Sequence, residues 1–278
     1  MGALLALASA ACYGVVDFLG GLLSRRFHFA VVSFLGQLGG LLLALVAAIL
    51  VPAGAVRWDD LVWGALSGVG SGVAMYFLNR GLSHGAMSIV VPVSAVTGVA
   101  LSVLCGVWVL GDRPTPPAWL GICVTVPALW LVSRGSSDGA ATTGQASLDG
   151  LIASVGVAVQ YVGLAQADPA SGLWAVAAGR VAAVLFLLPS TWRHAAHFRQ
   201  PVRLLGAAGA IGAGAAFALI LYLWATQLQM LALAVVLASL YPAIPVVLGL
   251  VVLHEKVTWA QAVGLVAAAC AIVLLTLG

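Results

Sequence analysis

The chain has 278 residues, of which 63% are hydrophobic and only 7% charged, with a mean hydropathy of +1.15. A soluble domain carries roughly a quarter charged residues, so this composition excludes a water-facing surface of ordinary size. The net charge of +3 comes from scattered residues and excludes a nucleic-acid partner, whose binding face would be clustered and basic.

The apolar residues fall into ten blocks. A helix needs about 20 apolar residues to cross the hydrocarbon core, and spans are predicted over 3–23, 31–51, 61–80, 85–109, 117–133, 148–167, 171–191, 203–225, 232–252 and 258–277. The expected fold class is therefore an all-α membrane protein with ten transmembrane helices, multi-pass in the cell membrane. Charge collects at the breaks, as in Ser24-Arg25-Arg26, Arg57-Trp58-Asp59-Asp60, Asp168-Pro169 and His254-Glu255-Lys256. No Lys or Arg precedes Arg25, so the first block lacks the basic region of a signal peptide and reads as an uncleaved span. Cys12, Cys105, Cys123 and Cys270 sit inside apolar blocks without a CxxC pair, and read as small buried hydrophobes rather than metal ligands.

One stretch departs from this pattern. Residues 134–147 are small, polar and Gly-rich, the composition of a flexible linker. They divide the chain into a first repeat over 1–133 and a second over 148–278, each of five spans. An odd number of spans inserts the second repeat upside down relative to the first. The two parts also match in order: Leu110-Gly111-Asp112-Arg113 falls on Leu253-His254-Glu255-Lys256, Gly121 on Gly264, Gly36-Gln37 on Gly179-Arg180, and Gly64, Gly70 and Gly72 on Gly206, Gly212 and Gly214. Inverted repeats are a hallmark of secondary transporters, whose sites lie near the midplane between the repeats.

Over essentially its full length the chain resembles the drug/metabolite transporter superfamily in its ten-helix form with two EamA-type repeats. The resemblance is carried by the acidic-basic turns Asp112-Arg113 and Glu255-Lys256, each followed by a span holding Gly121 or Gly264. It is also carried by Ser239-Leu240-Tyr241-Pro242 in the ninth span and by Arg180 early in the seventh. Gln37 and Val96 depart from the pattern, standing where the first repeat would have arginine and proline. The resemblance implies a five-plus-five bundle that moves small metabolites, amino acids or drugs through a cavity lined by the first, third, fourth, sixth, eighth and ninth spans.

Asp17 and Arg180 are the charges that lie clearly inside spans, and such charges are costly in lipid and mark function by default. Asp17 suits a proton- or cation-binding carboxylate; a protonated, structural side chain is the alternative. Direct pairing of Asp17 with Arg180 is not expected, because side chains lean toward the helix N-terminus. Arg180 suits recognition of a carboxylate or phosphate, or equally an anchor at a helix contact. Tyr13, Tyr76, Ser94, Gln160, Tyr161, Tyr222, Trp224, Ser239 and Tyr241 complete the candidate set for substrate or ion binding, against the alternative of interhelical hydrogen bonding. Gly64, Gly68 and Gly72 form a small-residue ridge for close packing rather than a phosphate loop, since no Lys-Ser or Lys-Thr follows. Pro242 and Pro245 are the expected hinge.

Without a Walker motif the expectation is a secondary active transporter of a small-molecule substrate, coupled to protons or driven by exchange, needing no cofactor and working as a monomer in the bilayer. It is not expected to be an enzyme; the alternative kept is an intramembrane enzyme acting on a lipid-like substrate. Loops after odd-numbered spans carry Arg25, Arg26, Arg80, Arg134, Arg193, Arg199, Arg203 and Lys256, against Arg57 and Arg113 on the other face. The positive-inside rule thus puts the basic face in the cytoplasm, whereas the resemblance implies both termini there.

Overall fold

A computed structural model describes residues 1–110, 115–133, 140–228, 237–238 and 240–276. Among them all regular structure is helical: α1 Gly2–Arg26, α2 Phe29–Leu50, α3 Trp58–His84, α4 Met87–Cys105 with a π turn at Gly106–Leu110, α5 Pro116–Ser133, α6 Ala140–Gln166, α7 Trp174–Arg193, α8 Val202–Leu228, α9 Ala243–Val252 and α10 Trp259–Thr276. Seven of these, α1 to α4 and α6 to α8, are long and apolar enough to cross a membrane. The apolar stretches Pro116–Val132, Ala243–Val252 and Trp259–Leu275 are shorter, so among the described residues ten α-helices are present and seven of them are of membrane length. The acidic-basic turn at Asp112-Arg113 and Ser239 lie outside the described residues.

Local chemistry sets several ends. Asp59 and Asp60 occupy the first turn of α3 while Arg25, Arg26 and Arg193 occupy the last turns of α1 and α7, each complementing the helix dipole. α10 opens with a capping box: the Thr258 amide donates to Gln261 Oε1 at 2.9 Å and the Gln261 amide to Thr258 Oγ1 at 3.3 Å. α6 starts at Ala140, eight residues inside the stretch expected to be a linker. Tertiary contacts hold that extension: Ala146 packs with Leu82, Met87 and Val90, and the Asp149 carboxylate accepts Arg80 Nε at 3.0 and 3.1 Å.

The halves interlock. α3 packs on α6 and α7, and α8 packs on α1 and α2; exchanging the two halves turns one set of pairs into the other. Two seams bring backbone against backbone, because glycine there has no side chain to hold the helices apart. A Cβ on Gly39 or Gly212 of the α2–α8 seam would overlap the Gly209 or Gly36 carbonyl. A Cβ on Gly64 or Gly68 of the α3–α7 seam would overlap the Ala175 or Gly179 carbonyl. The outer surface carries Leu42, Ile49, Leu185, Val247 and Val251, the apolar face a bilayer requires.

The ridge glycines are not equivalent. Gly68→Ala should cost about 2 kcal/mol or more by forcing two backbones apart and lower the melting temperature in detergent. Gly206→Ala, with nothing within 4 Å of its added methyl, should leave it unchanged. Equal melting temperatures for the two variants would contradict the seam.

Candidate functional site

The turn before α9 organises the interior. Pro242 and Pro245 lack amide donors, and the chain passes Leu240–Pro242 as a turn before α9 begins. The turn is held by short-range bonds, from the Tyr241 amide to Ala238 O at 3.2 Å and the Ala243 amide to Leu240 O at 3.0 Å. The turn seats on α1, where a Cβ at Gly14 would lie 2.7 Å from Tyr241 O. Irregular backbone at membrane depth is tolerated where protein or a cavity covers it.

Around this turn a cluster assembles from α1, α6, α7 and α8. Tyr13 lies within electrostatic range of Asp17, Tyr161, Arg180 and Tyr222, and Tyr241 within range of Tyr13, Asp17 and Tyr161. The Tyr13 and Tyr241 rings are 6.0 Å apart, tilted at 54°. Asp17 is half-buried and makes no hydrogen bond or ion pair among the described residues. Tyr161 is 46% accessible, so the cluster faces open space. Beside it Arg180, Gln160, Ser67, Ser71 and Leu164 line a small pocket of about 20 Å³.

Arg180 is 8% exposed, and its Nη1 donates to Gln37 Oε1 at 2.7 Å. Gln37 in turn donates from Nε2 to Ser71 Oγ at 3.1 Å. The arginine therefore joins α7 to α2 and α3, and it forms no ion pair with Asp17. Gln37, where the repeat would carry a second arginine, is the acceptor that a second arginine could not be.

Other candidates lie elsewhere. Tyr76 accepts from Ser190 Oγ at 3.3 Å and packs edge-on against Phe29 with centroids 5.1 Å apart, a contact between α2, α3 and α7. Trp224 is 43% exposed; two residues from Tyr222 on a helix, it faces the opposite way. Ser94 is buried on α4, and neither Ser94 nor Gln160 hydrogen-bonds to a cluster member.

Two features of the basic face were not anticipated. Glu255, from the turn after α9, reaches the N-terminus of α4 and accepts from the Met87 amide at 2.9 Å, the Ser88 amide at 3.0 Å and Ser88 Oγ at 2.8 Å. Arg25 donates to Glu255 at 3.3 Å and to the Gly85 and Leu82 carbonyls at 2.8 and 3.0 Å. A carboxylate from one half thus caps a helix of the other, where the dipole favours it. The second feature is an imidazole stack: His28, between α1 and α2, lies 3.9 Å from His194 and 4.8 Å from His197 by ring centroid. On the opposite face Asp60 Oδ1 accepts the Asp168 amide at 2.9 Å.

An all-helical chain with seven helices of membrane length defines a multi-pass membrane protein. The EamA-like transporter family model matches residues 1–134 and 146–277, and the chain belongs to that family, whose members are drug/metabolite transporters rather than enzymes. No curated protein matches. A solved crystal structure, described only as that of a protein, superposes with TM-score 0.60 at 15% identity, over 98% of this chain and 95% of that one; this likeness concerns the fold alone.

The imidazole stack makes stability pH-dependent. His28 Nδ1 accepts the Ala30 amide at 3.2 Å as the α2 N-cap, so a proton there would remove the cap. Burial, then the neighbouring His194 and His197, pushes the His28 imidazole down to about 4. Its contribution is complete above the ordinary value of about 6.5 and is lost as pH falls toward the folded value. The melting temperature should therefore drop on acidification through that window. His28→Asn, which keeps a capping oxygen but cannot be protonated, should reduce the drop; an unchanged pH profile would contradict the assignment.

Proposed function

We propose that this protein is a secondary active transporter that moves a small solute by alternating access between two inverted five-helix repeats. The observation that carries the reading is Asp17, a carboxylate with no hydrogen bond or ion pair among the described residues, within electrostatic range of Tyr13, Tyr161 and Tyr241 beside the turn that precedes α9. Discontinuous helices at the repeat interface form substrate sites in transporters. The two separate stretches of family match and the exchange-symmetric packing support the repeats. The small residues and Gln160 and Arg180 of the adjoining cavity extend the same site.

In this reading the conformation is closed at the basic face by the Arg25–Glu255–α4 contact and reached from the other face. The seams of α2–α8 and α3–α7 form the fixed frame, while α4, with Pro92, and α9, with Pro242 and Pro245, bend. The loop charge count supports a cytoplasmic basic face. Asp17 is the coupling residue, and transport runs on protons or by exchange.

Single cysteines in a background lacking the four native ones test this. Leu164→Cys, at the open mouth, should react with a membrane-impermeant thiol reagent, while Ser24→Cys, beneath the basic-face latch, should not. Adding Glu255→Gln should expose Ser24→Cys and protect Leu164→Cys. Reaction at both positions in the same molecule would mean a continuous pore. Coupling is tested by stepping pH between about 8 and about 6, where protonation of Asp17 should shift the balance between the two mouths. Asp17→Asn should abolish that shift; a wild-type shift in this variant would make the carboxylate structural.

A further inference from the structure

The chemistry facing Asp17 narrows what the site takes, on the reading that this cluster is the transport site. Three phenol rings lie within electrostatic range of that one carboxylate: Tyr13 on the same helix, Tyr161 on α6 and Tyr241 at the break before α9. Tyr13 and Asp17, four residues apart, share a face of α1. Arg25, Arg80 and Arg180 are engaged elsewhere, with Glu255, Asp149 and Gln37, and Asp17 forms no ion pair among the described residues.

The alternatives fit poorly. An anion would meet a carboxylate at the deepest acidic point of the site. A hard metal ion takes six or more oxygen ligands for Ca²⁺ and near-octahedral oxygen ligation for Mg²⁺, and among the described residues no three His, Cys, Asp or Glu side chains converge to hold a metal. An ammonium group, by contrast, is attracted to the faces of tyrosine rings as well as to a carboxylate. At 6.0 Å and 54°, Tyr13 and Tyr241 are too close to admit a group between them and instead form one tilted wall. The accessible Tyr161 faces the open side.

We propose that the occupant is an organic ammonium cation, its charge set against Asp17 and its substituents against the rings of Tyr13, Tyr161 and Tyr241. The commitment is to a carbon-clad monocation, because aromatic walls and a single carboxylate reward a diffuse charge over a strongly hydrated one.

The test uses the full-length protein in detergent with choline and phenethylammonium chlorides as probes, and with dimethylbutanol, the neutral carbon isostere of choline, as control. At least one ammonium should bind saturably by calorimetry and raise the melting temperature, while dimethylbutanol should do neither at the same concentration. Tyr13→Phe keeps the ring and should bind within about twofold of wild type, whereas Tyr13→Leu and Asp17→Asn should weaken binding about tenfold or more. If Asp17→Asn does not fold, the Phe and Leu pair at Tyr13 decides. Equal binding of dimethylbutanol, unweakened binding by both Tyr13→Leu and Asp17→Asn, or no binding of either ammonium overturns the proposal. Leu164→Cys separates the two levels of failure. A reactive cysteine without ammonium binding refutes the substrate class and leaves the transport site standing, while a cysteine unreactive in every state refutes the site itself.

Discussion

Backbone contact between α2 and α8 and between α3 and α7 is the constraint on which the rest depends. In lipid the hydrophobic effect gives no reason for helices to associate, so packing and hydrogen bonding must do it. Glycine at Gly36, Gly39, Gly64, Gly68, Gly209 and Gly212 lets main chains meet, and the resulting dispersion contacts hold the two halves as one body. Because each seam joins a helix of one half to a helix of the other, the halves cannot slide apart as independent units. Pro92 in α4, Pro127 in α5 and Pro245 in α9 all lie on helices outside these two seams.

Charge placement follows from the same solvent. An ionised group away from water needs a partner, and most buried charges here have one. Asp149 takes Arg80, Glu255 takes Arg25 and the α4 amides, and Arg180 takes Gln37. These pairs lie across helix boundaries, so each also fixes a relative position of two helices. Asp17 stands outside this accounting, half-buried and without a hydrogen-bond or ion-pair partner among the described residues. A group retained at such cost is the place to look for a ligand, and it lies within electrostatic range of Tyr241 in the turn before α9.

Much of this was legible in the residues. Twenty-residue apolar blocks can only be helices in lipid, since the backbone must satisfy itself, and the Gly-rich ridges announced close packing because no other residue permits it. Asp17 and Arg180 stood out for the same reason, as charges in the wrong solvent. What composition could not reveal was which polar groups meet. The polar stretch 134–147 read as a linker from its residues alone, yet from Ala140 it is helical, because Ala146 and Asp149 find partners on α3 and α4.

The sequence by itself determined the solvent, the helical class and the costly charges, all of which follow from local hydrophobicity and from the order of residues along the chain. Only the tertiary structure decided that Arg180 serves a helix contact through Gln37, that Glu255 caps α4, that Tyr76 packs against Phe29 and Ser190, and that Tyr13, Tyr161 and Tyr241 come within electrostatic range of Asp17. Those outcomes depend on the rotation of each helix about its own axis and on contacts between residues more than a hundred positions apart. Apolar helices that are hydrophobic all round carry no amphipathic stripe to record that rotation.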